Sequence, residues 1–210
     1  SSVGGILNLL GAWPGPDELL LRGADNPRGQ FEHGELHMAC LRRLQAAGGD
    51  WKSPAQHNPA VAVDTFRREA ATILDTLERR RPWFVKEPRL CLLARELLPM
   101  LTRPVFVHVV RNPYEIADSL HRRDGMLPAD ALALWERYTR EAFAASSGWN
   151  RLIVDYDALL KDPTGTTQKL FEELVRAGIK GLHMASSEAI EKWIEPEFAR
   201  KPVDGVSLNV

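Results

Sequence analysis

Apolar residues recur at helical spacing through most of this chain, and a few short runs break that rhythm. Val105-Phe106-Val107-His108-Val109-Val110 is a nearly unbroken β-branched and aromatic run, which predicts a strand buried on both faces of a parallel sheet. Arg151 to Tyr156 predicts a second strand, and Trp83-Phe84-Val85-Lys86, stopped by Pro88, a short third one. Around these runs the period is helical. A helix begins with the first residues and ends at Gly11. Others span roughly 33 or 34 to 46, 59–81, 89–98, 128–145 and 163–177, with a weaker pattern over 188–193. Val63, Phe66, Ala70, Ile73 and Leu77 mark the inner face of the 59–81 helix. Leu132, Trp135, Tyr138 and Ala142 mark that of 128–145, and Leu170, Phe171 and Leu174 that of 163–177. Strands separated by helices predict an α/β protein with a parallel sheet. Prolines and glycines make 12–34 a long loop, and loops of that length in a compact protein are usually functional. A second polar, proline-bearing loop runs over 51–59.

The clearest chemistry sits where the 105–110 run ends. Asn112 stands at an N-cap position, Pro113 at the first helical position, and Glu115 at the third, where it can reach back to the cap. Arg111 is therefore placed at the carboxyl end of a strand beside a helix N-terminus, where open α/β sheets bind anions. Ser119 lies about two turns into that helix, on the stripe of Ile116 and Leu120. A guanidinium and a hydroxyl so placed could grip one phosphate from two sides. The plainer alternatives are an arginine reaching for solvent and a serine bonded to the carbonyl four residues back.

Composition narrows the class. The 210 residues are 44% hydrophobic and 26% charged, as for a globular chain with one sizeable core, and a single domain over 1–210 is expected. A formal net charge of −1 gives no bulk attraction to nucleic acid, so anion binding must come from local placement of Arg, Lys and helix ends. No apolar run is long enough to span a membrane and no signal peptide is evident, so the expected location is cytoplasmic. Cys40 and Cys91 show no ligand spacing and read as free thiols. No Gly-x(4)-Gly-Lys-Ser/Thr or Gly-x-Gly-x-x-Gly occurs.

Arg111-Asn112-Pro113-x(5)-Ser119 resembles the 3′-phosphate signature of sulfotransferases that use 3′-phosphoadenosine 5′-phosphosulfate (PAPS). Asn26-Pro27-Arg28-Gly29-Gln30-Phe31-Glu32, Trp83 to Cys91 and Asp155 to Pro163 resemble the bacterial branch of that family, in the family's order. The resemblance implies a P-loop NTPase-like three-layer fold with a central parallel sheet. It also implies that the first strand and the phosphosulfate loop are missing from this chain, with Ser1 and Ser2 as that loop's tail; the plainer reading makes them N-cap serines. The implied reaction is sulfuryl transfer from PAPS to a hydroxyl or amine of a small molecule or carbohydrate, with no nucleic-acid or membrane partner and no metal.

By the same resemblance, Arg111 and Ser119 hold the 3′-phosphate and Tyr156 lies near the adenine. Lys86 supports the transferring group and points to the sheet edge beside Arg111. The catalytic histidine that many relatives carry two residues after that lysine is replaced here by Pro88, which moves the expected base to Glu32, with His33 behind it. The plainer roles are a helix-end carboxylate for Glu32 and a salt bridge to Glu87 or a nearby acid for Lys86. Two other functions stay open: a nucleotide-binding module without turnover, and a zinc hydrolase built on His33 and His37 with His57 or His183 as third ligand.

Overall fold

The computed structural model describes residues 2–22, 29–53 and 60–194. Ser1, His57, the Asn26–Arg28 part of the family-like block, the expected helix start at Pro59 and the 200–205 tail lie outside them. Helix α1 spans Ser2–Leu9, α2 Gly34–Ala46, α3 Val63–Glu78 and α4 Leu90–Leu97. Strand β1 (Val105–Val110) leads into α5 (Pro113–Asp124) and α6 (Pro128–Ala145). Strand β2 (Asn150–Asp155) is followed by α7 (Tyr156–Lys161), α8 (Pro163–Arg176) and α9 (Ser187–Ile194). Strands β1 and β2 pair in parallel, in register from Val105↔Asn150 to Val110↔Asp155. The fold is mixed α/β, rich in helix, with a small parallel sheet between helical layers, as the pattern predicts.

The pleat assigns the two faces. Val105, Val107, Leu152 and Val154 pack into an apolar cluster with α1, α7, α8 and α9. On the opposite face His108 stacks on Phe143 of α6 at 4.5 Å between ring centres and meets the Ser146 hydroxyl at 3.0 Å. Arg151 lies over the same phenyl ring and donates to the Ser146 carbonyl at 2.9 Å. A second apolar cluster joins α2, α3 and α4, with Trp13 and Trp83 against it.

Several sequence expectations need correction. Strand β1 is not buried on both faces: Val109 and Val110 are 48% and 42% exposed, and Ile153 of β2 56%. Among the described residues β1 pairs with β2 alone, and α6 covers only the part of its second face near Phe106 and His108. The 83–86 run forms a single parallel bridge, Trp13↔Trp83, flanked by Trp13 N–H to Pro82 O and Phe84 N–H to Trp13 O bonds, instead of a strand. The 12–34 loop is likewise tied down, by a 3₁₀ turn at Asp17–Leu19 and a Leu20↔His33 bridge. Tyr156 opens α7, because the Asp155 carboxylate caps Asp157 and Ala158 N–H and ends the strand one residue early. In α6 the buried positions are Ala131, Leu134 and Ala145, while Leu132, Trp135, Tyr138 and Ala142 are half-buried. Ser2 lies in the first turn of α1, where its carbonyl accepts from Trp193 Nε1 at 2.9 Å. Gly5 belongs to the same contact, since a Cβ there would fall inside the Trp193 ring.

Helices α2 and α4 are also fixed to each other by charge. Arg43 of α2, fully buried, donates through Nη2 and Nε to the Glu96 carboxylate of α4 at 2.7 and 3.0 Å. Arg67 of α3 donates to the Glu96 carbonyl at 3.1 Å. Removing one partner of a buried pair strands the other charge. Arg43→Ala is therefore expected to lower unfolding free energy by about 3–5 kcal/mol. Urea denaturation measures this, and a loss below about 1 kcal/mol would show that the pair is not what holds the two helices.

Candidate functional site

Two side-chain groups emerge. The first gathers at the start of α2 and just ahead of α4. Glu32 is held at the end of the long loop by its carbonyl, which accepts from Leu21 N–H at 2.8 Å. Phe31 beside it adopts a left-handed backbone, φ 58°. That turns its ring away into α1 and α9, against Gly4 and at 5.7 Å from Trp193. A left-handed phenylalanine is costly, and the ring's apolar contacts offset that cost. Glu32 consequently faces the Pro82–Pro88 segment, and its Oε1 contacts the Lys86 ammonium directly. The two residues expected to do the chemistry thus meet, although 54 positions separate them.

Three residues that sequence reasoning left outside the catalytic set complete this group. The Glu87 side chain is wholly buried and takes His37 Nδ1 at 3.0 Å, Arg89 Nη1 at 2.9 Å and the Arg89 main-chain N–H at 3.0 Å. Glu32 Oε2 lies 3.6 Å from His37 Nδ1 and 4.0 Å from Arg89 Nη1. The Arg89 guanidinium also sits 5.9 Å from the centre of the Trp51 ring. The only available signal was the crowding of charge in Lys86-Glu87-Pro88-Arg89, and nothing local says which partners those charges choose.

The second group sits at the ends of the strands. Register alone builds it: Val110 pairs with Asp155, so Arg111 and Tyr156 follow side by side. The Arg111 guanidinium lies 5.0 Å above the Tyr156 ring. Asn112 caps α5 as expected, accepting from Tyr114 N–H at 3.0 Å. Glu115, however, does not reach back to the cap. Its carboxylate takes Arg111 Nε and Nη2, both at 2.8 Å, because an arginine fork one turn away is the stronger partner. Arg111 Nη1 makes no hydrogen bond among the described residues. Ser119 is half-buried two turns further along α5. Lys86 pairs with Glu32, and Arg111 with Glu115.

The histidine pair divides. His37 belongs to the acidic group, while His33 is 3% exposed, with its ring against Gly15 and neither nitrogen hydrogen-bonded. Glu32, His37 and Glu87 have oxygen and nitrogen atoms within 4.8 Å of one another, a spacing a metal ion could use, and His33 is not among them. Lys86 and Arg89 already balance those two carboxylates, so a divalent ion would add uncompensated positive charge. Both cysteines are free thiols; burial pushes Cys40 upward and Cys91 up to about 11, which leaves them unreactive.

An arginine at a strand end and a carboxylate–lysine pair, in a mixed α/β fold, make an arrangement that can receive anionic groups. The chain belongs to the sulfotransferase family, whose model matches residues 7–176. That span contains Glu32, Lys86, Arg111, Ser119 and Tyr156 but neither Ser1 nor Ser2. Membership makes the chain a transferase, with sulfuryl transfer as its general chemistry. No curated relative and no solved structure matches it. No described helix is long and apolar enough to cross a membrane.

Burial lowers the pKa of His33, with Glu35 opposing the shift. The folded state thus resists a proton that the unfolded chain accepts below about pH 6.5. Stability is expected to rise with pH through that range and to fall as pH drops from 7 to 5. His33→Leu should flatten the fall, read as unfolding free energy against pH. A residual slope is expected from His108, whose pKa burial also lowers, aided by Arg151. An unchanged slope in His33→Leu would place the titrating group elsewhere.

Proposed function

We propose that this chain transfers the sulfuryl group of PAPS to a hydroxyl or amine of a small-molecule or carbohydrate acceptor. The observation that carries the reading is the direct contact of the Glu32 carboxylate with the Lys86 ammonium, inside the span matched by the family. Glu32 accepts the acceptor's proton as the acceptor oxygen or nitrogen forms its bond to sulfur. The bond from sulfur to the phosphate oxygen breaks, and its electron pair leaves with adenosine 3′,5′-bisphosphate. Once protonated, Glu32 holds Lys86 less tightly, and the ammonium is released to neutralise the transferring sulfuryl group. In-line transfer of this kind depends on positioning and charge stabilisation more than on covalent catalysis.

Arg111 and Ser119 hold the 3′-phosphate, with Nη1 of Arg111, which bonds none of the described residues, as the first donor and Tyr156 beside the adenine. A phosphate arriving there competes with Glu115 for the guanidinium, and its double negative charge favours it. The alternatives, a binding module without turnover and a zinc hydrolase, gain no specific support from the site.

Glu32→Gln should lower kcat by about 10²–10⁴-fold, as expected for loss of a general base. Lys86→Met should lower it by about 10²–10³-fold, the usual effect of losing one stabilising donor. Both follow from sulfated-product formation at saturating PAPS with a panel of acceptors. Turnover that survives Glu32→Gln at the wild-type rate would remove Glu32 from the mechanism. Binding is tested separately by calorimetric titration with adenosine 3′,5′-bisphosphate. Micromolar binding is expected, reduced at least about tenfold in Arg111→Ala, roughly the worth of a charge-assisted hydrogen bond. Equal binding by both proteins would displace the phosphate site from Arg111.

A further inference from the structure

The two oxygens of Glu32 stand in different surroundings. Oε1 carries Lys86. Oε2 faces two cationic or proton-bearing groups, His37 Nδ1 at 3.6 Å and Arg89 Nη1 at 4.0 Å, and both stop short of hydrogen-bond distance. Each is instead taken up by Glu87, at 3.0 and 2.9 Å. Glu87 wins this competition for a local reason. It sits two residues before Arg89, its Oε1 already accepts the Arg89 main-chain N–H at 3.0 Å, and its side chain is wholly buried. The guanidinium therefore reaches it with little further ordering. Arg89 Nη1 and His37 Nδ1 lie 3.2 Å apart because they share this carboxylate. His37 Nδ1 thus lies closer to Glu87 than to Glu32, at 3.0 against 3.6 Å.

We propose that Glu87 is a positioning residue of the transfer reaction: it holds Arg89 and His37 off Glu32, and so keeps Glu32 Oε2 free to take the acceptor's proton. This rests on Glu32 as the base. A carboxylate that accepts a guanidinium hydrogen bond is a weaker base than one that does not, and base strength enters the rate directly. Glu32 is faced by Lys86 and Arg89 from the segment ahead of α4, by His37 from α2, and by Glu87 behind those two. A Glu87 without charge would release Arg89 toward Glu32. A purely structural role for Glu87 would alter stability and leave the acid limb of the rate profile in place.

The test compares Glu87→Gln with wild type in the full chain, reading kcat, KM and the pH dependence of kcat. The expected result is a kcat lowered by about 10–100-fold, part of what a general base supplies, with KM little changed and the acid limb moved to lower pH. The double variant Glu87→Gln/Arg89→Gln removes the released guanidinium and should recover most of the lost rate and return the limb. Should Glu87→Gln fail to fold, Glu87→Asp keeps the charge one methylene further back and should shift rate and limb in the same direction, by less. A folded Glu87→Gln with wild-type kcat and limb, or a double variant no faster than the single, overturns the proposal. Glu32→Gln reports on the underlying reading independently: wild-type turnover there removes Glu32 as base, whatever Glu87 does.

Discussion

The buried Arg43–Glu96 pair ties together two helices that carry opposite halves of the Glu32 group. Helix α2 begins directly after Glu32 and carries His37, while α4 begins directly after Lys86, Glu87 and Arg89. Helix α3 packs against both, and apolar residues of all three form one cluster. Apolar packing is non-directional and tolerates small slides of one helix on another. A two-pronged guanidinium–carboxylate contact at 2.7 and 3.0 Å does not, because it is satisfied in one register only. The spacing between Glu32 and Lys86 is inherited from that register.

Charge in the two side-chain groups is managed by pairing. With a net charge of −1 the chain has no general attraction for anions, and the cations of these groups are set against specific acids. Lys86 is set on Glu32, Arg89 on Glu87, and Arg111 on Glu115. Such pairs keep side chains ordered before substrate arrives, and each can be exchanged for a more highly charged partner. The Arg111–Glu115 pair is the most open of the three, with both side chains partly exposed.

The Arg111 group is the simplest case of sequence writing a site. A parallel register between two β-branched runs brings the residues after them side by side, so Arg111 and Tyr156 meet without help from the rest of the chain. The N-cap at Asn112, the proline after it and the helix beyond are equally local, and the structure keeps each of them. What local pattern misjudged were contests between partners. Glu115 was free to choose between a cap N–H and a guanidinium, and Trp83 to Lys86 between a ladder and a single bridge; in both, distant or competing groups decided.

Periodicity and capping chemistry determined most helix boundaries, the parallel strand pair and the strand-end position of Arg111, because each depends on residues within a few positions of one another. The order of four short blocks indicated the sulfotransferase family, which the family match confirms. Tertiary structure alone decided that Glu32 meets Lys86, that His37 joins the acid group while His33 is turned into apolar surroundings, and that Glu87 takes Arg89 and His37. Side chains 50 or more positions apart are brought within 3–4 Å only by how α2, α3 and α4 pack. Burial then fixes which acid keeps which cation, and no spacing along the chain encodes that choice.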